Sequence, residues 1–230
     1  MAVLFGGRSG EHEVSLMSAR SVLSVLDPAR YDVYQVGITQ EGTWLTGENA
    51  CDLMENGDTK NLTHCTILPD PSRSGLYGMQ ITENGLSLEM ITALDVVFPV
   101  LHGTYGEDGT LQGLLELADL AYIGAGVTGS SIGMDKSLFK DVMRANNIPT
   151  VESVIILRSD IKKNIEDVIH RAEGMSAYPL FVKPANLGSS VGISKCNNRS
   201  DLGEGLMDAA AYDRRVLIER AVDAHEIEVS

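Results

Sequence analysis

Residues 2–5 form a short continuous apolar run that ends in Gly6-Gly7, which predicts a buried strand leading into a loop. Val14, Met17, Ser18, Val22 and Val25 then fall at helical spacing, and Asp27-Pro28 stops the helix. Residues 31–38 are rich in β-formers, so the chain opens as strand, loop, helix, strand. Residues 41–90 divide less readily: 42–45 suggests a strand, and 69–75 a proline- and serine-rich loop. Order returns at residues 94–101, strand-like in spite of Pro99, followed by a glycine loop over 102–109. Leu111, Leu114, Leu115 and Ala118 sit at i, i+3, i+4 and i+7 and predict a helix, and 121–123 a short strand. Strands alternating with helices argue for a parallel sheet up to this point.

After Gly124-Ala125-Gly126 the rhythm changes. The pattern predicts a helix over about 135–146 with Leu138, Phe139, Val142 and Met143 inward, a strand over 151–157, and one helix marked by Ile161, Ile165, Val168, Ile169 and Ala172, started by Ser159 or Asp160. Strands follow at 180–183 and 193–196 around a tight loop, then a helix from Ser200 to about Ala211, then strands at 216–219 and 226–229. This organisation implies a domain boundary near residue 125, and a chain that stops inside a strand is expected to be truncated.

The length of 230 residues suits two domains of ordinary size. Hydrophobic residues at 43% and charged residues at 22% give the profile of a soluble folded protein rather than a disordered one. Lys and Arg number 18 and Asp and Glu 32, so the formal net charge is −14. Such a surface repels nucleic acid and anionic membranes at long range, and neither is expected as a partner. An anionic substrate would need cations placed locally. Cys51, Cys65 and Cys196 show no C-x-x-C and no metal-ligand spacing, as in a reduced cytoplasmic protein. The N-terminus does not read as a signal peptide, and no apolar stretch reaches the roughly 18 residues of a membrane span.

Three glycine loops and two lysines carry the candidate chemistry. The first loop, Gly6-Gly7-Arg8-Ser9-Gly10-Glu11-His12-Glu13, joins a strand to a helix and so lies at the carboxyl end of a sheet, where open α/β folds bind ligands. Glu11 is either a ligand-holding carboxylate there or a charge near the helix N-terminus. The second loop, His102-Gly103-Thr104-Tyr105-Gly106-Glu107-Asp108-Gly109, has the same placement. His102 is a proton carrier or donor, or a strand-end histidine bonded to its own loop. Glu107 and Asp108 suit the next helix's dipole.

The third loop, Lys183-Pro184-Ala185-Asn186-Leu187-Gly188-Ser189-Ser190-Val191-Gly192, lies between two strands and lacks the Walker spacing. Its glycines and hydroxyls still suit a phosphate. Lys183 stands in an otherwise apolar strand and needs an anionic partner, either a ligand or a neighbouring carboxylate. Lys136 opens a helix, where a cation is unfavourable unless something anionic compensates. Glu219 and Glu226 read as strand-end carboxylates that could equally hold an adenine amino group and ribose hydroxyls.

These motifs resemble, in order and over nearly the whole chain, those of the D-alanine–D-alanine ligase family of ATP-grasp enzymes: residues 6–16, His102-Gly103 with 106–113, Met134-Asp135-Lys136, and residues 181–185 with 188–192. The resemblance implies an α/β ATP-grasp fold: a parallel α/β N-terminal domain over 1–125, an α+β central domain with an antiparallel sheet over 126–217, and the incomplete start of a C-terminal ATP-grasp domain over 218–230. It implies ATP-dependent joining of two D-alanines through an acyl phosphate for peptidoglycan synthesis, with a homodimer expected.

By the family pattern Glu11 holds the ammonium of the first D-alanine in a network with Ser189, and His102 helps place the substrates. Lys136 and Lys183 contact ATP phosphates, Ser190 belongs to the loop covering them, and Glu219, Val222 and Glu226 line the adenine and ribose pocket. Magnesium is expected, with its protein ligands beyond residue 230 and none within 1–230; the family's mobile-loop tyrosine lies there too. A D-alanine–D-lactate ligase and a non-catalytic nucleotide-binding module are the alternatives.

Overall fold

The computed structural model describes the chain except for Asn84, Ser189, Ser190, Glu226 and residues 228–230. Two compact units are present, Met1–Ser131 and Ile132–Ser230.

The first unit contains β1 (Ala2–Gly6), α1 (His12–Val25), β2 (Tyr34–Ile38), β3 (Trp44–Thr46), α2 (Ala50–Glu55), β4 (Thr63–Ile67), a single 3-10 turn at Pro71–Arg73, β5 (Gly75–Thr82), β6 (Gly85–Ala93), β7 (Val97–Pro99) and α3 (Thr110–Leu117). Its strands form one sheet in the order β6-β5-β4-β3-β2-β1-β7. Only β2, β1 and β7 are parallel, with an isolated parallel bridge between Val97 and Tyr122 where the short strand at 121–123 was expected. The other four strands run antiparallel, so the sheet is mixed rather than parallel. They occupy residues 44–93, where only 42–45 suggests a strand.

β1 is buried along its whole length and feeds two cores by simple alternation. Ala2 and Leu4 pack with Val36, Ile38, Leu111 and Leu115, under α3. Val3 and Phe5 pack on the opposite face with Leu16, Ala19, Ala50 and Cys51, under α1 and α2. Full burial of such a side chain contributes about 1.5–3 kcal/mol.

The residues whose spacing revealed α1 are not those it buries. Val14, Met17 and Val25 are exposed, while His12, Ser15, Leu16 and Ala19 face in. The rotation is fixed by Ser15, whose Oγ donates to the Val100 carbonyl at 2.5 Å and accepts from the Gly6 N–H at 2.8 Å. A hydroxyl stitched into two strand ends is invisible to a hydrophobic pattern.

α4 (Val127–Met134) contains the division between the units. The second unit then holds α5 (Lys136–Ala145), β8 (Ser153–Leu157), α6 (Arg158–Lys163), α7 (Ile165–Met175), β9 (Leu180–Pro184), β10 (Ser194–Cys196), α8 (Arg199–Tyr212) and β11 (Arg215–Arg220). The sheet order is β10-β9-β11-β8, antiparallel throughout. β11 is one strand across residues 217 and 218. The strand expected at 226–229 rests mostly on residues outside those described.

Where one helix was expected after Leu157, α6 and α7 meet at Asn164, whose side chain accepts from the Asp167 N–H at 3.3 Å and caps α7. Ser159 and Asp160 lie inside α6 instead of starting it. α8 is likewise capped by Asn198, which accepts from the Ser200 and Asp201 N–H groups at 2.9 and 3.1 Å, and not by Ser200. Helices α6, α7 and α8 cover one face of the sheet, where Ile156, Val182, Val216 and Ile218 meet Ile161, Val168, Ile169, Leu202 and Leu206.

α5 contradicts its own hydrophobic face. Leu138 and Phe139 are exposed, Val142 and Met143 only half-buried, and the residues facing in are Ser137 and Lys140. The Asp135 carboxylate accepts from the Ser137 and Leu138 N–H groups, both at 3.0 Å, and so anchors the helix start by its polar side.

Gly6 connects this framework to the first candidate loop. It has φ +85°, and a Cβ there would stand 2.3 Å from the Ile38 carbonyl oxygen, whereas at Gly10 a Cβ meets nothing within 4 Å. Gly6→Ala should therefore lower stability by at least the roughly 1–3 kcal/mol of a strained backbone, and Gly10→Ala should change it far less. Urea midpoints of the two variants check this; equal midpoints would contradict it.

Candidate functional site

In the first unit, β1 delivers the chain into the loop through two residues of positive φ, Gly6 and Gly7. The loop turns back on itself: Ser9 Oγ accepts from the Glu11 N–H at 3.0 Å and donates to the His102 carbonyl at 2.7 Å. That bond joins the first glycine loop to the second, 93 residues further along. Glu11 occupies the N-cap position of α1 but makes no capping hydrogen bond to it. Its carboxylate lies instead at the second loop, where a Cβ on Gly103 would stand 2.5 Å from Glu11 Oε2. Glycine at 103, with φ +72°, leaves room for that carboxylate.

His102 is not bonded to its own loop. Its Nε2 lies 2.9 Å from Ser18 Oγ on the second turn of α1. A cavity of about 250 Å³ adjoins His102, walled by Trp44, Leu101, Leu111 and Leu114, with the Arg8 guanidinium 4.6 Å from the centre of the Tyr105 ring at its edge. Glu107 and Asp108 serve the loop itself. Glu107 accepts from the Gly103 N–H at 2.7 Å, and Asp108 accepts from the Thr110 N–H at 3.1 Å at the start of α3.

In the second unit the period of two along β9 and β11 decides the site. Val182 and Ile218 point into the helix-covered core, so Lys183 and Glu219 fall on the other face. There Glu219 Oε2 meets Lys183 Nζ at 2.6 Å and Glu219 Oε1 meets Lys140 Nζ at 2.6 Å. Lys140 comes from α5 and also donates to the Val151 carbonyl at 3.0 Å. Lys136, one turn earlier on the same helix, donates to the Leu187 carbonyl at 2.5 Å. Arg215 pairs with Asp135, and Asp213 accepts from the Asn186 N–H at 2.7 Å, which holds the start of the third loop. Gly133, Lys136, Phe139, Lys140, Thr150, Lys183 and Glu219 surround a cavity of about 340 Å³.

Burial alone would raise the Glu219 carboxyl, but the ammonium groups of Lys140 and Lys183 outweigh it and hold the group below the usual carboxylate range. Burial, and then Lys183, push the Lys136 ammonium down from its ordinary value, against the pull of Asp135, Glu219 and Asp213. Three lysines around one glutamate leave local positive charge in a chain whose formal net charge is −14. By contrast, a cavity of about 700 Å³ along β2 to β6 is lined by Glu48 and Glu89 and by no basic side chain.

The structure thus brings Glu11 and His102 together in the first unit, and Lys136, Lys183 and Glu219 in the second. Lys183 does have a neighbouring carboxylate as partner. Both oxygens of Glu219 are engaged by lysines, and the carboxylate lines the cavity. Val222 is exposed in the irregular segment after β11. Ser189, Ser190 and Glu226 lie outside the described residues. Sequence reasoning missed Lys140, although it stands four residues after Lys136 on the same helical face. It also missed Ser18, whose hydroxyl counted only as a helix position. Among the described residues no group of three or more His, Cys, Asp or Glu side chains could hold a metal ion. Burial pushes the Cys51 and Cys196 thiols up to about 11 and Cys65 up to about 12, which makes none of them a nucleophile.

Because the folded-state pKa of Glu219 lies below its unfolded value, its contribution to stability is present above the unfolded value of roughly 4.3 and is lost as pH falls through the folded one. Glu219→Gln should remove that acid-labile component. At pH 7 it should cost about 3 kcal/mol, since Lys140 is left buried against an amide while the more exposed Lys183 keeps water. Denaturant unfolding of both proteins across the acid range measures this; parallel pH profiles would contradict it.

Family comparison agrees with the motifs. Residues 1–125 match the family model described as D-ala D-ala ligase N-terminus, and residues 142–230 the one described as D-ala D-ala ligase C-terminus. The chain is 44% identical over 231 residues to the D-alanine–D-alanine ligase of Natranaerobius thermophilus, covering 100% of this chain and 62% of that protein. It is 44% identical to the enzyme of that name from Enterococcus faecalis, covering 99% and 64%. Among solved structures, the VanG D-Ala:D-Ser ligase of E. faecalis superposes with a TM-score of 0.82 at 33% identity, covering 96% of this chain and 62% of that one. The D-alanine–D-alanine ligase of Coxiella burnetii gives 0.76 at 32%, covering 96% and 63%. The chain spans about 62% of the length of the first curated relatives it matches. On its two family matches, together covering most of its residues, the chain belongs to the D-alanine–D-alanine ligase family.

Proposed function

We propose that this chain carries the ATP-binding and first-substrate parts of a ligase that joins two D-alanines at the expense of ATP, for peptidoglycan synthesis. The observation that carries the reading is the trio Lys136, Lys140 and Lys183 around one carboxylate and one cavity, in a protein otherwise strongly negative. Such a site attracts a polyphosphate against the global field. The sequence relatives, D-alanine–D-alanine ligases by name, point to the amino-acid substrate.

In this reading the carboxylate of the first D-alanine attacks the terminal phosphorus of ATP and ADP leaves. The amine of the second D-alanine adds to the resulting acyl phosphate, loses a proton, and the tetrahedral intermediate expels phosphate. Negative charge moves at each step, so fixed cations and N–H donors carry the catalysis. Lys136 and Lys183 hold phosphates, and Ser190 belongs to the loop over them. Glu11, with Ser189, receives the ammonium of the first D-alanine, and His102, oriented by Ser18, helps place the substrates. Glu219, Val222 and Glu226 line the adenosine end.

Magnesium accompanies ATP in such reactions through phosphate oxygens and a few carboxylates. Among the described residues no group of three or more His, Cys, Asp or Glu side chains fits it. The three cysteines are free, no helix among the described residues is long and apolar enough to cross a membrane, and a cytoplasmic location belongs to the proposal. So does a homodimer, supported by the exposed apolar side chains Ile81, Leu86, Leu88 and Met90 on β5 and the edge strand β6. Sedimentation showing a monomer would remove that part.

Phosphate release from ATP by the intact protein should require D-alanine. Binding of ATP without D-alanine-dependent release would favour a nucleotide-binding module instead, and faster dipeptide-analogue formation with D-lactate would favour the depsipeptide ligase. Lys183→Ala should weaken a non-hydrolysable ATP analogue by about 1.5–3 kcal/mol in calorimetry; an unchanged Kd in a folded variant would remove Lys183 from the site. Glu11→Gln should raise the KM for the first D-alanine roughly ten- to a hundred-fold with little change for ATP. A fall in Tm with both KM values intact would assign Glu11 to helix stability alone.

A further inference from the structure

Two ammonium groups share the Glu219 carboxylate, and they are held very differently. Lys140 is 11% exposed and has two acceptors, Glu219 Oε1 at 2.6 Å and the Val151 carbonyl at 3.0 Å. Lys183 is 25% exposed, and its one hydrogen-bonding partner among the described residues is Glu219 Oε2 at 2.6 Å, with its ammonium 5.8 Å from the centre of the Phe181 ring. Glu219 itself is 10% exposed. A carboxylate so buried is strongly disfavoured without a counter-ion. If Lys183 were its sole partner, any phosphate drawing Lys183 away would strip a buried charge, and the gain at the phosphate would be offset by the loss at Glu219.

We propose that Lys140 is a positioning residue that keeps Glu219 neutralised, so that Lys183 is free to turn its ammonium to a phosphate group. This rests on the ATP reading above. Lys140 is the fixed ion and Lys183 the transferable one. The pair holds Lys183 near the cavity before the nucleotide arrives and releases it at little cost afterwards. The arrangement also accounts for a helix that buries its polar side: α5 presents Lys140 to β11 and leaves Leu138 and Phe139 outside.

The test is a charge-balance cycle read by calorimetry with adenylyl imidodiphosphate, a non-hydrolysable ATP analogue, and with adenosine as a ligand lacking phosphates. Lys140→Met should weaken the triphosphate by about ten-fold or more, because Lys183 becomes the only counter-ion of a buried carboxylate. It should leave adenosine affinity unchanged. Adding Glu219→Gln to Lys140→Met removes the charge that held Lys183 and should return most of the triphosphate affinity, and Lys140→Arg should keep it. A double variant as weak as Lys140→Met would mean that Lys140 meets the phosphate itself or only supports the fold, and would overturn the proposal.

Lysine Cε carbon spectra of the wild-type protein give a second readout that needs no variant to fold. On saturation with the analogue the Lys183 resonance should move and that of Lys140 should stay; movement of Lys140 alone would overturn the proposal. Failure of the wild-type protein to bind the analogue at all would instead overturn the ATP reading on which it rests.

Discussion

The second unit is organised around one buried carboxylate. Glu219 sits at the end of β11 with an ammonium group on each oxygen, from α5 on one side and β9 on the other. Removing such a group from water is costly unless charge and hydrogen bonds are returned to it. That requirement determines which face of α5 turns inward, why a lysine is tolerated in the apolar strand β9, and why three lysines collect around one cavity. A purely apolar filling would pack as well; it would leave nothing to draw a polyphosphate to a chain of net charge −14.

The first unit solves a different problem, how to hold a carboxylate and an imidazole at a sheet edge with little machinery. Its sheet is anchored by β1, which feeds two apolar cores at once. Two hydroxyls then set the geometry: Ser15 fixes the rotation of α1 against the ends of β1 and β7, and Ser9 ties the two glycine loops together. The glycines at 6 and 103 matter for what they lack, since a side chain at either would collide with a carbonyl or with Glu11.

Several features are legible in the amino-acid sequence alone. Most helices and strands, the three glycine loops and the pairing of a chemical residue with each loop follow from periodicity and turn chemistry. Of the four antiparallel strands between residues 44 and 93 only β3 was expected, at 42–45; β4, β5 and β6 were not, and β6 is exposed on both faces and shows no burial rhythm to read. The inward faces of α1 and α5 were misjudged for one shared reason: each helix is oriented by a polar contact, Ser15 in one and Lys140 in the other, that outweighs its apolar stripe. The asparagine caps at 164 and 198 were missed because serine or aspartate lay within two to five residues and offered an equally good signal. Within the site, pairing across strands is a long-range fact. That Lys183 requires an anion followed from one strand; that the anion is Glu219, shared with Lys140, required three elements at once.

The central claim is that the cluster on α5 and β9 receives the phosphates of ATP, and chemical labelling tests it most directly. An acyl-phosphate derivative of ATP transfers its acyl group to a lysine lying beside the bound phosphates, and peptide mass spectrometry identifies that lysine. Labelling should fall on Lys136 or Lys183 and be suppressed by excess ATP, while Lys60, Lys162, Lys163 and Lys195 remain unprotected background. ATP-suppressible labelling at one of those four, or labelling of Lys136 and Lys183 that ATP does not suppress, would contradict the account.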